Sequence, residues 1–155
     1  GCVIVGRSNS TDGYFSGDLS AKGEYDAYII RMDDDGLVYW GSPFRGQYDD
    51  SFSDIICTAD GYVAAGFSKS SIRDLRVVGN NGGQDMVIAC FSYGGDLKWA
   101  KGFGGSHDDT AEGICAVSGG YFCAGRTYSS DNDLKDISGQ KSNGEYAVGV
   151  LFKFV

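Results

Sequence analysis

The sequence predicts an all-β protein assembled from repeated four-stranded antiparallel units, and three observations carry that prediction. Glycine is in excess, 25 of 155 residues beside one proline, Pro43; that is about 16% against a usual ~7%, without the triplet period of collagen. Landmarks recur at a spacing of 59 residues: Asp60-Gly61-Tyr62 with Gly119-Gly120-Tyr121, Trp40 with Trp99, and Asp49-Asp50 with Asp108-Asp109. The segments between the glycines are short apolar runs, of strand rather than helix length.

Taken in order, one unit contains four strands, a to d. Strand a covers 51–58, and a tight Asp60-Gly61 turn leads to strand b, 62–68. A loop of about 15 residues reaches strand c, 85–92, and Gly94-Gly95 (Asp35-Gly36 one unit earlier) predicts a two-residue hairpin into strand d, 97–103. Strand c reads as a nearly continuous apolar run, Met86-Val87-Ile88-Ala89-Cys90-Phe91, where a sheet with one wet face would alternate. Strand b is small-sided, as in Val63-Ala64-Ala65-Gly66. Units that are apolar on both faces and narrow in one strand suit the stacked blades of a β-propeller; a β-sandwich is the alternative. The phase along the chain is b-c-d, a-b-c-d, a-b-c, or about 2.5 units, spanning roughly 1–50, 51–109 and 110–155 of a single repeat region. A propeller typically needs 4 to 8 blades, so the expectation is a segment of a longer propeller whose remaining blades lie elsewhere in a parent chain.

The residues Asp60-Gly61-Tyr62-Val63, Ser8 to Ser10, Gly17-Asp18-Leu19, Tyr25 to Ile30, Asp35-Gly36, Trp40 and Gly104-Gly105-Ser106 with Asp109 resemble the propeller-like repeats of secreted and cell-surface proteins from Gram-positive anaerobic bacteria. The resemblance covers essentially the whole chain. It implies a propeller-type fold and a secreted or cell-surface location, any signal peptide lying outside this sequence; it implies no particular activity. The third unit departs from the pattern: Tyr146 takes the place of Asp26 and Asp85, and no Trp-bearing strand d follows.

Lys plus Arg total 13 against 21 Asp plus Glu, a formal charge of −8. Phosphate-driven binding needs a basic surface, so nucleic acid is excluded as a principal partner, and no apolar run reaches membrane-spanning length. Carbohydrate or protein ligands stay open. Five cysteines lack CxxC spacing. Cys115 and Cys123, equidistant from Gly119, are either a cross-hairpin disulfide or two packed thiols.

Short a–b and c–d turns belong at one end of the sheets, so the long b–c loops and the d–a connections emerge together at the other. That end collects carboxylates and rings, including Asp18, Asp74, Asp131, Asp133, Asp136, Tyr14 and Phe15. The candidate ligand-binding face is Tyr48, Asp49, Asp50, His107, Asp108, Asp109 and Tyr128, since carboxylates beside aromatic platforms bind sugars or cationic groups. The competing role for the aspartates is capping local backbone N–H groups. No catalytic residue, cofactor or metal ligand is assigned. His107 is the sole histidine, and Ser106-His107-Asp108 are chain neighbours, whereas triads assemble in space. Asp33-Asp34-Asp35-Gly36 fails the EF-hand ligand pattern and reads as a turn, while Asp131-Asn132-Asp133 with Asp136 is the one candidate calcium cluster. The expected function is a non-catalytic binding or scaffold module. The alternatives are a glycan-processing enzyme using carboxylates from different units, and a structural spacer.

Overall fold

The computed structural model describes residues 1–71, 79–136, 139 and 141–154. It contains ten strands in three antiparallel sheets: β1 (Cys2–Ser8), β2 (Asp26–Met32) and β3 (Val38–Phe44); β4 (Asp50–Thr58), β5 (Gly61–Ser68), β6 (Asp85–Phe91) and β7 (Leu97–Phe103); β8 (Asp109–Val117), β9 (Gly120–Thr127) and β10 (Val148–Phe154). Each sheet is a meander in which sequential strands are neighbours, and the described residues contain no α-helix. The strand phase b-c-d, a-b-c-d, a-b-c is therefore observed. The arrangement is three sheets, not the two of a sandwich, and it is not closed.

The middle sheet explains the uninterrupted apolar runs. Tyr62, Ala64, Val87, Ala89 and Phe91 point to one side and pack with Ala27, Ile29 and Phe44 of the first sheet. Their chain neighbours Val63, Ala65, Met86, Ile88 and Cys90 point the other way and pack with Ala111, Ile114 and Cys123 of the third. Successive residues of a strand face opposite sides, so a sheet covered on both faces needs apolar residues at every position. Aromatic rings fill part of the first interface, where Phe44, Phe52 and Phe91 meet at centroid distances of 5.3–6.4 Å. Strand a is bulged in both units that contain it, between Phe52 and Asp54 and between Ala111 and Gly113. The bulge lets Gly66 and Gly125 lie on the facing backbone: a Cβ there would stand 1.9 Å from the Ser51 carbonyl oxygen and 2.0 Å from that of Thr110. It also frees the Asp54 carboxylate to accept the Ile114 N–H of the next sheet at 2.9 Å.

Two expectations need correction, and the alternative left open for Cys115 and Cys123 is decided. The c–d connections are three-residue loops, Asp34-Asp35-Gly36 and Tyr93-Gly94-Gly95, closed by Asp33 N–H to Leu37 carbonyl at 2.9 Å and Ser92 N–H to Asp96 carbonyl at 2.8 Å. The last glycine of each has positive φ, 82° and 94°, as three-residue hairpins require. Cys115 and Cys123 form no disulfide: the Ser118-Gly119 loop pairs Val117 with Gly120, so Cys115 lies opposite Phe122 and Cys123 opposite Ile114. That one-residue offset puts the thiols on opposite faces, Cys115 exposed and Cys123 buried. Finally, Val148, not Tyr146, takes the position of Asp26 and Asp85. The three residues pair with Thr127, Ser8 and Ser68 respectively, the equivalent ends of strand b.

Candidate functional site

The d–a connections are held by a repeated hydrogen-bond device. At the end of strand b, Ser68-Lys69-Ser70 and Thr127-Tyr128-Ser129 each place two hydroxyls around the buried first aspartate of strand a. Asp50 accepts from the Ser68 hydroxyl at 2.5 Å and the Ser70 hydroxyl at 3.0 Å; Asp109 accepts from the Thr127 hydroxyl and, at 3.0 Å, from that of Ser129. The same serine oxygens accept N–H bonds from the d–a loop: Gln47 and Tyr48 bond Ser70 at 3.0 Å, and His107 bonds Ser129 at 2.9 Å. Each loop is thereby tied to the strand that follows it.

Asp50 and Asp109 are both 0% exposed. They were expected on the ligand-binding face; the register turns them inward instead, because adjacent residues of a strand's start point oppositely. Burial pushes the Asp50 carboxyl up to about 7, against the lowering effect of the two serine hydroxyls. Burial likewise raises Asp85 to about 6; among the described residues the Asn81 N–H bonds one oxygen, at 2.6 Å, and the other is buried without a partner.

Of the remaining expected residues, the structure brings three together. His107, Asp108 and Tyr128 line an open cleft of about 620 Å³ between the second and third units, with Gln84, Ser106 and Arg126. Asp108 is exposed and accepts the Gln84 N–H at 2.9 Å. The His107 ring lies against Gly144, where a Cβ would meet Nε2 at 2.8 Å. Arg126 pairs with Glu112 at 3.2 Å. Tyr48, 47% exposed, and the half-buried Asp49, 3.7 Å from the Lys69 ammonium, occupy the equivalent loop one unit earlier and do not line this cleft. Tyr14 and Phe15 lie elsewhere, Phe15 packing on Tyr28 at 4.8 Å and Tyr14 on Phe15 at 5.7 Å. Asp74 falls outside the described residues.

The acidic loop at 131–136 works as a clamp. Asp131 accepts the Ser106 N–H at 2.8 Å, and Asp133 accepts from Gly104 N–H and Asn81 Nδ2, each at 3.3 Å. The Ser106 backbone and hydroxyl hold the Asp131 carboxyl below its usual range. Among the described residues no group of three or more His, Cys, Asp or Glu is arranged to hold a metal ion. The Ser106 hydroxyl also meets His107 Nδ1 at 2.9 Å. The hydroxyl therefore lies between carboxylate and imidazole, whereas a nucleophilic triad needs the imidazole in the middle.

Sequence reasoning missed Gln84 and Arg126. Arg126 had a weak signal: Arg7 stands at the same position of the first unit, and Phe67 in the second. A comparison with protein-family models finds none that matches, and a comparison with curated proteins finds no significant match.

Proposed function

We propose that the chain is a non-catalytic binding module, a run of β-propeller-type blades from an exported bacterial surface protein, that takes a carbohydrate in the cleft between its second and third units. The observation that carries this reading is the cleft lining: the rings of His107 and Tyr128 beside the planar polar side chains of Gln84, Asp108 and Arg126. Ring faces stack on sugar C–H groups, while planar amide, carboxylate and guanidinium groups bond adjacent hydroxyls in pairs. The propeller-type reading is supported by the equivalence of the three sheets and by a middle sheet buried on both faces.

Non-catalytic binding is favoured over glycoside hydrolysis because Asp108 is the single carboxylate among the described residues lining the cleft, and hydrolysis ordinarily uses two. A glycan array followed by a hydrolysis assay on the retained glycans tests both points. Retention without turnover, lost in Tyr128→Ala and Asp108→Ala, is the expected result. Turnover, or retention of no glycan, overturns the reading; retention of a protein partner through the same residues replaces the ligand class.

A further inference from the structure

The free edge of β1 carries the features that bind strand a in the other two units, with no strand a beside it among the described residues. Strand b of the second unit has Gly66, Ser68 and Ser70; strand b of the third has Gly125, Thr127 and Ser129; β1 and the residues after it have Gly6, Ser8 and Ser10. The internal bond of the device is already made in all three. Ser70 N–H bonds the Ser68 oxygen at 2.9 Å, Ser129 N–H that of Thr127 at 2.8 Å, and Ser10 N–H that of Ser8 at 3.1 Å. In the second and third units the hydroxyls then close on the buried carboxylates of Asp50 and Asp109.

In the first unit no carboxylate reaches Ser8 or Ser10 among the described residues, and both serines are half-buried where their counterparts are at most 1% exposed. The glycine marks the same difference. Gly66 and Gly125 lie on the backbone of a bulged strand, 1.9–2.0 Å from a carbonyl oxygen as measured from an added Cβ; at Gly6 nothing lies within 4 Å of that point. Among the described residues β1 pairs only with β2, so its other edge offers N–H and C=O groups with no strand partner there.

We propose that the outer edge of β1 is a strand-acceptor site for an antiparallel segment of the β4 and β8 type: an aspartate opposite Ser8 that accepts from Ser8 and Ser10, followed by a bulge opposite Gly6. The main-chain ladder supplies affinity and the aspartate–serine contact sets the register, as in other strand additions. The proposal rests on the equivalence of the three sheets and is independent of what the cleft binds.

The test uses the whole chain and a synthetic peptide of the sequence 47–58 with Cys57 replaced by Ser, followed by titration calorimetry and by hydrogen exchange read by mass spectrometry. The expected result is saturable binding that slows exchange across Cys2–Ser8. Gly6→Ala is the decisive variant. With nothing within 4 Å it should melt as the parent does, yet its methyl would stand where the incoming carbonyl must lie, so binding should fall at least tenfold. Ser10→Ala, and the peptide with alanine for its buried aspartate, should weaken binding similarly. Absence of binding, protection at Val148–Phe154 in place of Cys2–Ser8, or equal affinity for Gly6→Ala overturns the proposal. Since no sugar is present, failure here leaves the cleft reading standing, and failure of the glycan array leaves this one standing.

Discussion

Neutralising the buried Asp50 should flatten a pH dependence of stability that runs opposite to ordinary acid unfolding. The Asp50 carboxyl, taken out of water between the first and middle sheets, titrates near 7 in the folded chain, and Asp85 near 6; both return to about 3.9 when unfolded. The folded state thus binds more protons than the unfolded state between these values, so stability falls as pH rises. By linkage, raising the pH from 5 to 8 costs about 3 kcal/mol through Asp50 and about 1 kcal/mol through Asp85. The carboxyls held low, Asp34 beside the N-terminal amine and Asp131 on Ser106, act below about pH 4 and leave this window untouched. Urea unfolding followed by fluorescence of Trp40 and Trp99 should therefore give about 4 kcal/mol more stability at pH 5 than at pH 8. In Asp50→Asn the difference should shrink to about 1 kcal/mol. A wild-type stability that is flat or rises between pH 5 and 8, or an Asp50→Asn chain with the full wild-type slope, would refute the reasoning.

Three further outcomes follow from the packing. Gly66→Ala forces a methyl onto the Ser51 carbonyl and should cost about 2–3 kcal/mol in chemical unfolding, where Gly6→Ala costs nothing measurable. Asp54→Ala removes the acceptor of the Ile114 N–H and with it a tie between the middle and third sheets; thermal unfolding should show a loss of about 1–3 kcal/mol. In the native protein, iodoacetamide with peptide mapping should modify Cys115 and spare Cys123, whose thiol burial pushes up to about 12; equal labelling would mean that the β8–β9 register is wrong.

Much of the architecture is legible in the sequence because it rests on local chemistry repeated at a fixed spacing. Strand β7 spans the residues anticipated for it, and strand order follows from glycine turns that only certain loops tolerate. What fails is parity. Whether Cys115 meets Cys123 depends on the pairing of Val117 with Gly120, and one residue of shift moves a side chain to the other face. The same parity decides that Asp50 and Asp109 turn inward while Asp108 stays exposed. The acidic pairs were visible as acidic pairs, but which member is buried is fixed by the serine and threonine hydroxyls across the hairpin. Those hydroxyls stand at the end of strand b and two residues beyond it, where nothing in the sequence marks them as partners of an aspartate. Val148 was hidden for another reason: the b–c loop of the third unit differs in length, so pairing with β9, and not the placing of Tyr146 at the position of Asp26 and Asp85, sets where β10 begins.

The claim that the loop end of the second and third units is a ligand site is tested most directly by ¹⁵N chemical-shift mapping with a glycan retained on the array. Shifts concentrated at Gly83-Gln84, Ser106 to Thr110, Arg126 to Tyr128 and Gly144 are the predicted result. Shifts confined to the opposite end, around Cys2, Tyr39 and Tyr62, would contradict the account.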